Sequence, residues 1–217
     1  MTNRILPLLM ILLLTCCKQG QKVNKASPAA AVPLTDSTGL FDGKSLSGWE
    51  ITNFGPQGPV SVSDGEIILG MGEGCTGITW KRKFPVVNYE ASLEAKRVEG
   101  NDFFCGMTFP AGKQFCTLIV GGWGGTTVGL SNIDGLDASE NSTRKLMEFD
   151  KGRWYHIRLD VTNRAIKAWI DSLRVVDFTI GQSRLSIRPE VELSKPFGIA
   201  SWYTTAALRN IRVTRLE

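Results

Sequence analysis

The chain has 217 residues, 42% hydrophobic, 21% charged and 9% aromatic, which excludes both a disordered polymer and a protein of several membrane spans. Its net charge of +4 is concentrated at one end: residues 1–38 carry Arg4, Lys18, Lys22 and Lys25 against Asp36, and the other 179 residues hold 21 basic and 20 acidic groups. A domain that close to neutral lacks the cations with which proteins neutralise phosphates, so no nucleic-acid partner is expected.

Residues 1–17 read as an export signal, with Arg4 ahead of an apolar run from Ile5 to Leu14. Ten residues are too few for a bilayer of roughly 30 Å, which needs ~20 in a helix. The run ends in Leu13-Leu14-Thr15-Cys16-Cys17-Lys18, which resembles the bacterial lipobox, with Cys17 (or, one register earlier, Cys16) as the lipidated residue. A soluble secretory signal is the alternative. Residues 18–38 have no aromatic residue and no period, and are expected to form a flexible tether. The reading places the protein in a bacterial cell envelope, in the periplasm or at the cell surface, touching membrane only through its lipid anchor.

All six Trp, three Tyr and ten Phe lie beyond residue 38, and residues 39–217 read as one domain. Short runs with period-two alternation predict strands at 60–62 and 66–69 around Ser63-Asp64-Gly65, and at 88–98. A hairpin is expected over 103–109 and 114–120, and another over 154–162 and 165–170. Strands at 175–178, 197–202 and 208–216 bring the expectation to roughly ten to twelve. Helix is expected at most as a turn, at 135–141 or 184–186. The fold class is all-β, an antiparallel two-sheet sandwich or barrel. Cys75, Cys105 and Cys116 are odd in number and lack a zinc spacing; Cys105 and Cys116 are either a cross-strand disulfide or small buried hydrophobes.

Leu40-Phe41-Asp42-Gly43-Lys44-Ser45-Leu46-Ser47-Gly48-Trp49 at the start, Phe197-Gly198-Ile199 with Arg209-Asn210-Ile211 near the end, and Trp154-Tyr155-His156-Ile157-Arg158-Leu159 with Trp169-Ile170-Asp171 between them resemble the bacterial family of 3-keto-disaccharide (3-keto-glycoside) hydrolases and lyases. The resemblance covers essentially residues 39–217. It implies a concanavalin/laminin-G-like jelly roll, a small carbohydrate ligand and cleavage of 3-keto-glycosides. Hydrolase-like relatives carry an acidic strand where this chain has Phe115-Cys116-Thr117-Leu118-Ile119, and a segment with His where it has Ser201-Trp202-Tyr203-Thr204-Thr205. Neither carboxylate nor imidazole stands at those positions here.

Glycoside cleavage usually needs two carboxylates. Glu90 and Glu94 share a strand face but lie roughly 13 Å apart along it, outside the ~5–9.5 Å of known pairs. Glu94, Asp102 and Glu148 are the candidate catalytic acids and bases, acting with partners from other strands. His156, the only histidine, sits mid-strand and reads as structural. Trp123, on the glycine frame Gly121-Gly122-Trp123-Gly124-Gly125, and Trp202 with Tyr203 are candidate platforms for the apolar face of a sugar. No resident cofactor or metal is expected, although Asp134, Asp137 and Glu140 form an oxygen-rich loop in which calcium is the alternative to an Asx turn. Asn141-Ser142-Thr143 matches a glycosylation sequon by pattern only. The functional readings are an enzyme acting on 3-keto-glycosides, a non-catalytic lectin-like module, or a structural envelope domain.

Overall fold

The computed structural model describes Met1 and residues 37–216; the expected signal, both lipidation candidates and nearly all of the tether lie outside the described residues. Fifteen strands follow in chain order: β1 (Thr38–Gly39), β2 (Trp49–Ile51), β3 (Val60–Ser63), β4 (Glu66–Leu69), β5 (Cys75–Trp80), β6 (Tyr89–Gly100), β7 (Cys105–Ala111) and β8 (Gln114–Gly122). Then come β9 (Thr127–Ser131), β10 (Lys145–Leu146), β11 (Tyr155–Val161), β12 (Ala165–Ile170), β13 (Leu173–Thr179), the short 3-10 helix Pro189–Ser194, β14 (Gly198–Trp202) and β15 (Thr204–Arg215). Eight strands form one antiparallel sheet in the order β13-β12-β11-β6-β15-β4-β3, with β1 also beside β15; the other seven run β10-β9-β8-β7-β14-β5-β2. This is the expected two-sheet, jelly-roll sandwich. Among the described residues no helix is long and apolar enough to cross a membrane.

The core lies between the sheets. Tyr89, Ala91, Leu93 and Ala95 of β6 meet Cys105, Met107, Phe109, Leu118 and Val120 of β7 and β8, all buried, as strict alternation requires. At one end Phe84 and Phe197 stack at 4.2 Å, and Trp49 meets Trp80 edge-on at 5.1 Å. The Trp49 indole donates to the Leu40 carbonyl at 2.7 Å. Asp42 Oδ1 accepts from the backbone N–H groups of Lys44 and Ser45, both at 2.8 Å, and these bonds hold its carboxyl below its usual range. The opening motif is therefore a fold element that ties β1 to β2.

Three local expectations change. β5 and β9 carry glycines and are buried at every position, so neither shows the alternation by which a strand is read. The region 135–141 makes hydrogen-bonded turns, including Asn141 N–H to the Asp137 carbonyl at 3.0 Å. The helical segment falls instead at Pro189–Ser194, where Pro occupies the first turn and Glu190 and Glu192 follow it, a start signal the sequence carried. The three cysteines among the described residues are free: Cys105 pairs with Val120 and Cys116 with Phe109, so their registers keep the sulfurs apart. The Asn141 amide donates to the carbonyls of Leu130 and Asp137 from a buried position, closing the sequon to modification.

Candidate functional site

The residues of the seven-stranded sheet that alternate with its core positions point to its outer face. Most are small, namely Gly106 and Thr108 on β7, Thr117 on β8, Gly129 and Ser131 on β9, Gly77 on β5, Gly198 and Ala200 on β14, with Ile119 of β8 and Trp202 at the end of β14 as larger exceptions. Small side chains leave room for covering segments. The 3-10 helix crosses β5 and β14, with Thr79 Oγ1 donating to the Leu193 carbonyl at 3.0 Å. The turn at 137–143 lies over β9, where a Cβ on Gly129 would come within 3.1 Å of Thr143 Oγ1.

A cavity of about 180 Å³ opens on this face. A cavity of roughly 150 Å³ holds one six-membered ring, so there is space for a single small ring. Its floor is Thr117, Ile119, Ser131 and Cys75 from the sheet. Its walls are Asp102 and Phe103 after β6, Trp123 after β8, Trp202 at the end of β14, and Arg188, Glu190 and Val191 at the 3-10 helix.

Each wall is fixed by backbone bonds. Asp102 donates its N–H to Thr204 Oγ1 at 3.1 Å, and its carboxylate accepts from Phe103 N–H at 2.7 Å and Gly124 N–H at 3.3 Å. Trp202 donates its N–H to the Phe103 carbonyl at 3.0 Å, and the two rings lie 6.5 Å apart and nearly parallel. Trp123 is 41% exposed in a left-handed conformation (φ 47°). Its loop rests on Arg97, whose Nη2 donates to the Gly121 and Gly125 carbonyls at 3.2 and 2.9 Å.

The helix wall carries an ion chain. Arg188 donates to Asp137 Oδ2 at 3.1 Å and to Glu190 Oε1 at 2.8 Å. The Arg188 bond holds the Glu190 carboxyl below its usual range, so Glu190 is ionised at neutral pH. Burial, reinforced by the Glu190 charge, pushes the Cys75 thiol up to about 12, so it is no thiolate nucleophile. The lining thus offers carboxylate acceptors and bases beside aromatic faces.

Of the residues proposed from sequence, Asp102, Trp123 and Trp202 meet in this cavity. Tyr203 stands beside it, half-exposed and edge-on to Trp202 at 5.2 Å. Glu94 and Glu148 do not line it. Glu94 lies on the outer face of the eight-stranded sheet, bound by Arg209 and Asn210, and Glu148 is exposed on the loop between β10 and β11. His156 lies on that same outer face, in register with Glu94. Asp134 Oδ1 accepts from Arg184 N–H at 2.7 Å, Asp137 Oδ1 from the Ser139 N–H and Oγ, and Glu140 is exposed. Among the described residues no group of three His, Cys, Asp or Glu side chains is placed to hold a metal ion. Sequence reasoning missed Arg188, Glu190 and Phe103; the Pro-Glu start of the 3-10 helix was the available signal for the first two.

No curated protein matches the chain. Among solved structures, the fold is similar to the Crh5 transglycosylase in complex with NAG, at 14% identity and a TM-score of 0.58 over 85% of this chain and 86% of that one. Domain 4 of AbnA, a GH43 extracellular arabinanase from Geobacillus stearothermophilus, in complex with arabinotriose, matches at 17% identity and 0.54 over 84% and 92%. The carbohydrate-binding module CBM66 from Bacillus subtilis matches at 15% and 0.50 over 77% and 95%. At these identities the likeness is one of fold. The model of the 3-keto-alpha-glucoside-1,2-lyase-like domain matches residues 36–214, and the chain belongs to that family.

Proposed function

We propose that the cavity binds one sugar ring and cleaves a 3-keto-α-glucoside by elimination across C1 and C2. The ketone acidifies the C2 proton, and a carboxylate takes it. The C–H electrons pass to the ketone oxygen as an enolate, then return to form the C1–C2 double bond as the C1–O bond breaks. The departing alkoxide takes a proton from water. Glu190 is the base, because Arg188 keeps it ionised while both Asp102 oxygens are occupied by backbone N–H groups. Trp123 and Trp202 offer flat apolar faces to the ring, with Tyr203 at the rim. One observation carries the reading: Glu190 and Asp102, from separate elements, stand in the same cavity as Trp123 and Trp202. Family membership supports the reaction class.

Sugar binding without cleavage is the second reading. It is favoured by the same Arg188 contact, which weakens Glu190 as a base. Incubation with a 3-keto-α-disaccharide, following the enone by its ultraviolet absorption, separates the two. Turnover that is lost in Glu190→Gln supports elimination. Saturable binding without turnover supports the second reading, and neither signal overturns both.

We also infer that residues 1–17 direct export, that Cys17 (or Cys16) is lipidated, and that residues 18–38 tether the domain 39–217 to a bacterial envelope membrane. Mass spectrometry of the mature N-terminal peptide checks this; an unmodified peptide, or one that still begins at Met1, overturns it.

A further inference from the structure

Arg97 is the one arginine of the described residues that is buried, at 5% exposure. Its place on β6 continues the inward series Tyr89, Ala91, Leu93, Ala95, so it enters the core from the eight-stranded sheet. The guanidinium lies 5.2 Å from the Phe104 ring and 6.0 Å from the Phe149 ring. Its hydrogen-bond partners are three carbonyls, those of Gly121, Gly125 and, at 3.5 Å, Phe149, and its Nε has no partner. Burying a charge on such terms is costly, and a methionine of similar volume would fill the space with no desolvation penalty.

The return lies in the segment it holds. Gly121 and Gly125 both adopt positive φ, and they flank Trp123. A Cβ on Gly121 would come within 2.6 Å of Arg97 Nη2, and one on Gly125 within 3.4 Å of both Nη atoms. These glycines therefore admit the guanidinium as well as the turn. Beyond Gly122, which ends β8 paired with Thr127 of β9, the backbone is tied by a Gly125 N–H to Gly122 carbonyl bond at 3.2 Å and by the 3.3 Å bond from Gly124 N–H to Asp102. A loop so rich in glycine has little stiffness of its own.

We propose that Arg97 is a positioning residue: by bonding both ends of the 121–125 loop it holds Trp123, and with it Asp102, at the wall of the sugar cavity. The value of this position to ligand rests on the carbohydrate reading above; the clamp itself does not. A planar fork spans two carbonyls that a lysine ammonium, a single point donor, does not hold together.

The test labels the protein with 5-fluorotryptophan and assigns the Trp123 fluorine signal with Trp123→Phe. In Arg97→Lys the Trp123 signal is expected to shift or broaden, while those of Trp49 and Trp80 in the core stay in place. Where Lys fails to fold, Arg97→Gln, neutral and planar, takes its place. A Trp123 signal unchanged from wild type overturns the proposal. So does a change shared equally by Trp49 and Trp80, which marks a merely structural role. If wild type binds sugar, the affinity is expected to fall about tenfold in the same variant, with the Trp202 signal unaltered. Failure of wild type to bind any sugar overturns the functional reading and leaves the fluorine result to decide the clamp.

Discussion

On the outer face of the eight-stranded sheet, alternate positions of β6 and β11 carry polar side chains, Glu90, Glu94 and Lys96 beside His156, Arg158 and Asp160, with Trp154 just ahead of β11. Most of them pair with one another in the plane of the sheet, while one oxygen of Asp160 is buried without a hydrogen-bond partner. Lys96 pairs with Glu66 at 3.1 Å and lies 4.3 Å from the Trp154 ring, Arg209 covers the same ring at 4.1 Å, and Arg158 lies 3.8 Å from Trp169. On the seven-stranded sheet the matching positions are Gly77, Gly106, Gly129 and Ala200, and the polar groups arrive from loops above the sheet. Long side chains lying flat fill a face; short ones leave a floor on which separate segments can build walls. Two sheets with the same pleat therefore end as a closed surface and as a cavity.

The contrast is broken most severely by removing a carboxylate from each face. Glu190→Gln is expected to lower turnover of a 3-keto-glucoside by about a hundredfold or more, the usual weight of a general base, while Glu94→Gln changes it less than twofold. Initial rates on the two variants measure this. Next comes the floor itself. A Cβ on Gly77 would lie 2.5 Å from the Ile199 carbonyl oxygen, so Gly77→Ala should cost about 1–3 kcal/mol in denaturant unfolding. Ser92→Ala, on the opposite sheet, should stay within about 0.5 kcal/mol.

The aromatic residues divide the same way. Trp123→Ala is expected to weaken sugar binding about tenfold, near 1.4 kcal/mol, with an unchanged melting temperature, because its ring stands half in solvent. Trp154→Ala, stacked under two cations, should leave binding unchanged; titration calorimetry reads both.

The smallest effect concerns acid. Glu90 and Asp160 face each other across β6 and β11, and burial raises both, with the Asp160 charge adding to Glu90. A carboxyl raised in the folded state binds its proton more tightly there than in the unfolded chain. Its contribution to stability is therefore full in acid and is lost as pH rises past the ordinary carboxylate range. Glu90→Gln should accordingly gain stability over wild type at neutral pH, and the gain should vanish below a pH of about 4. Chemical denaturation at the two pH values gives the comparison.

The motifs that revealed the family are fold elements. Asp42 closes a turn, Trp49 locks Leu40, and Trp154, Arg158 and Trp169 stack on the closed face. Sequence alone thus settled the sandwich and most of its strands, because alternation and turn glycines are local patterns, and it singled out Trp123 as an odd Trp in a glycine run. Of the three candidate acids named from sequence, Asp102 lines the cavity, while Glu94 and Glu148 lie elsewhere on the molecule.

The reason is that a strand pattern tells which residues share a face, but not which loop crosses that face. Glu190 lies 88 residues from Asp102 in the chain and reaches the same cavity only because the 3-10 helix packs over β5 and β14. Arg97 continues the inward positions of β6, but only the opposite sheet supplies the carbonyls it holds. Local chemistry determined the layers of this protein, and packing between distant segments decided which polar groups stand together.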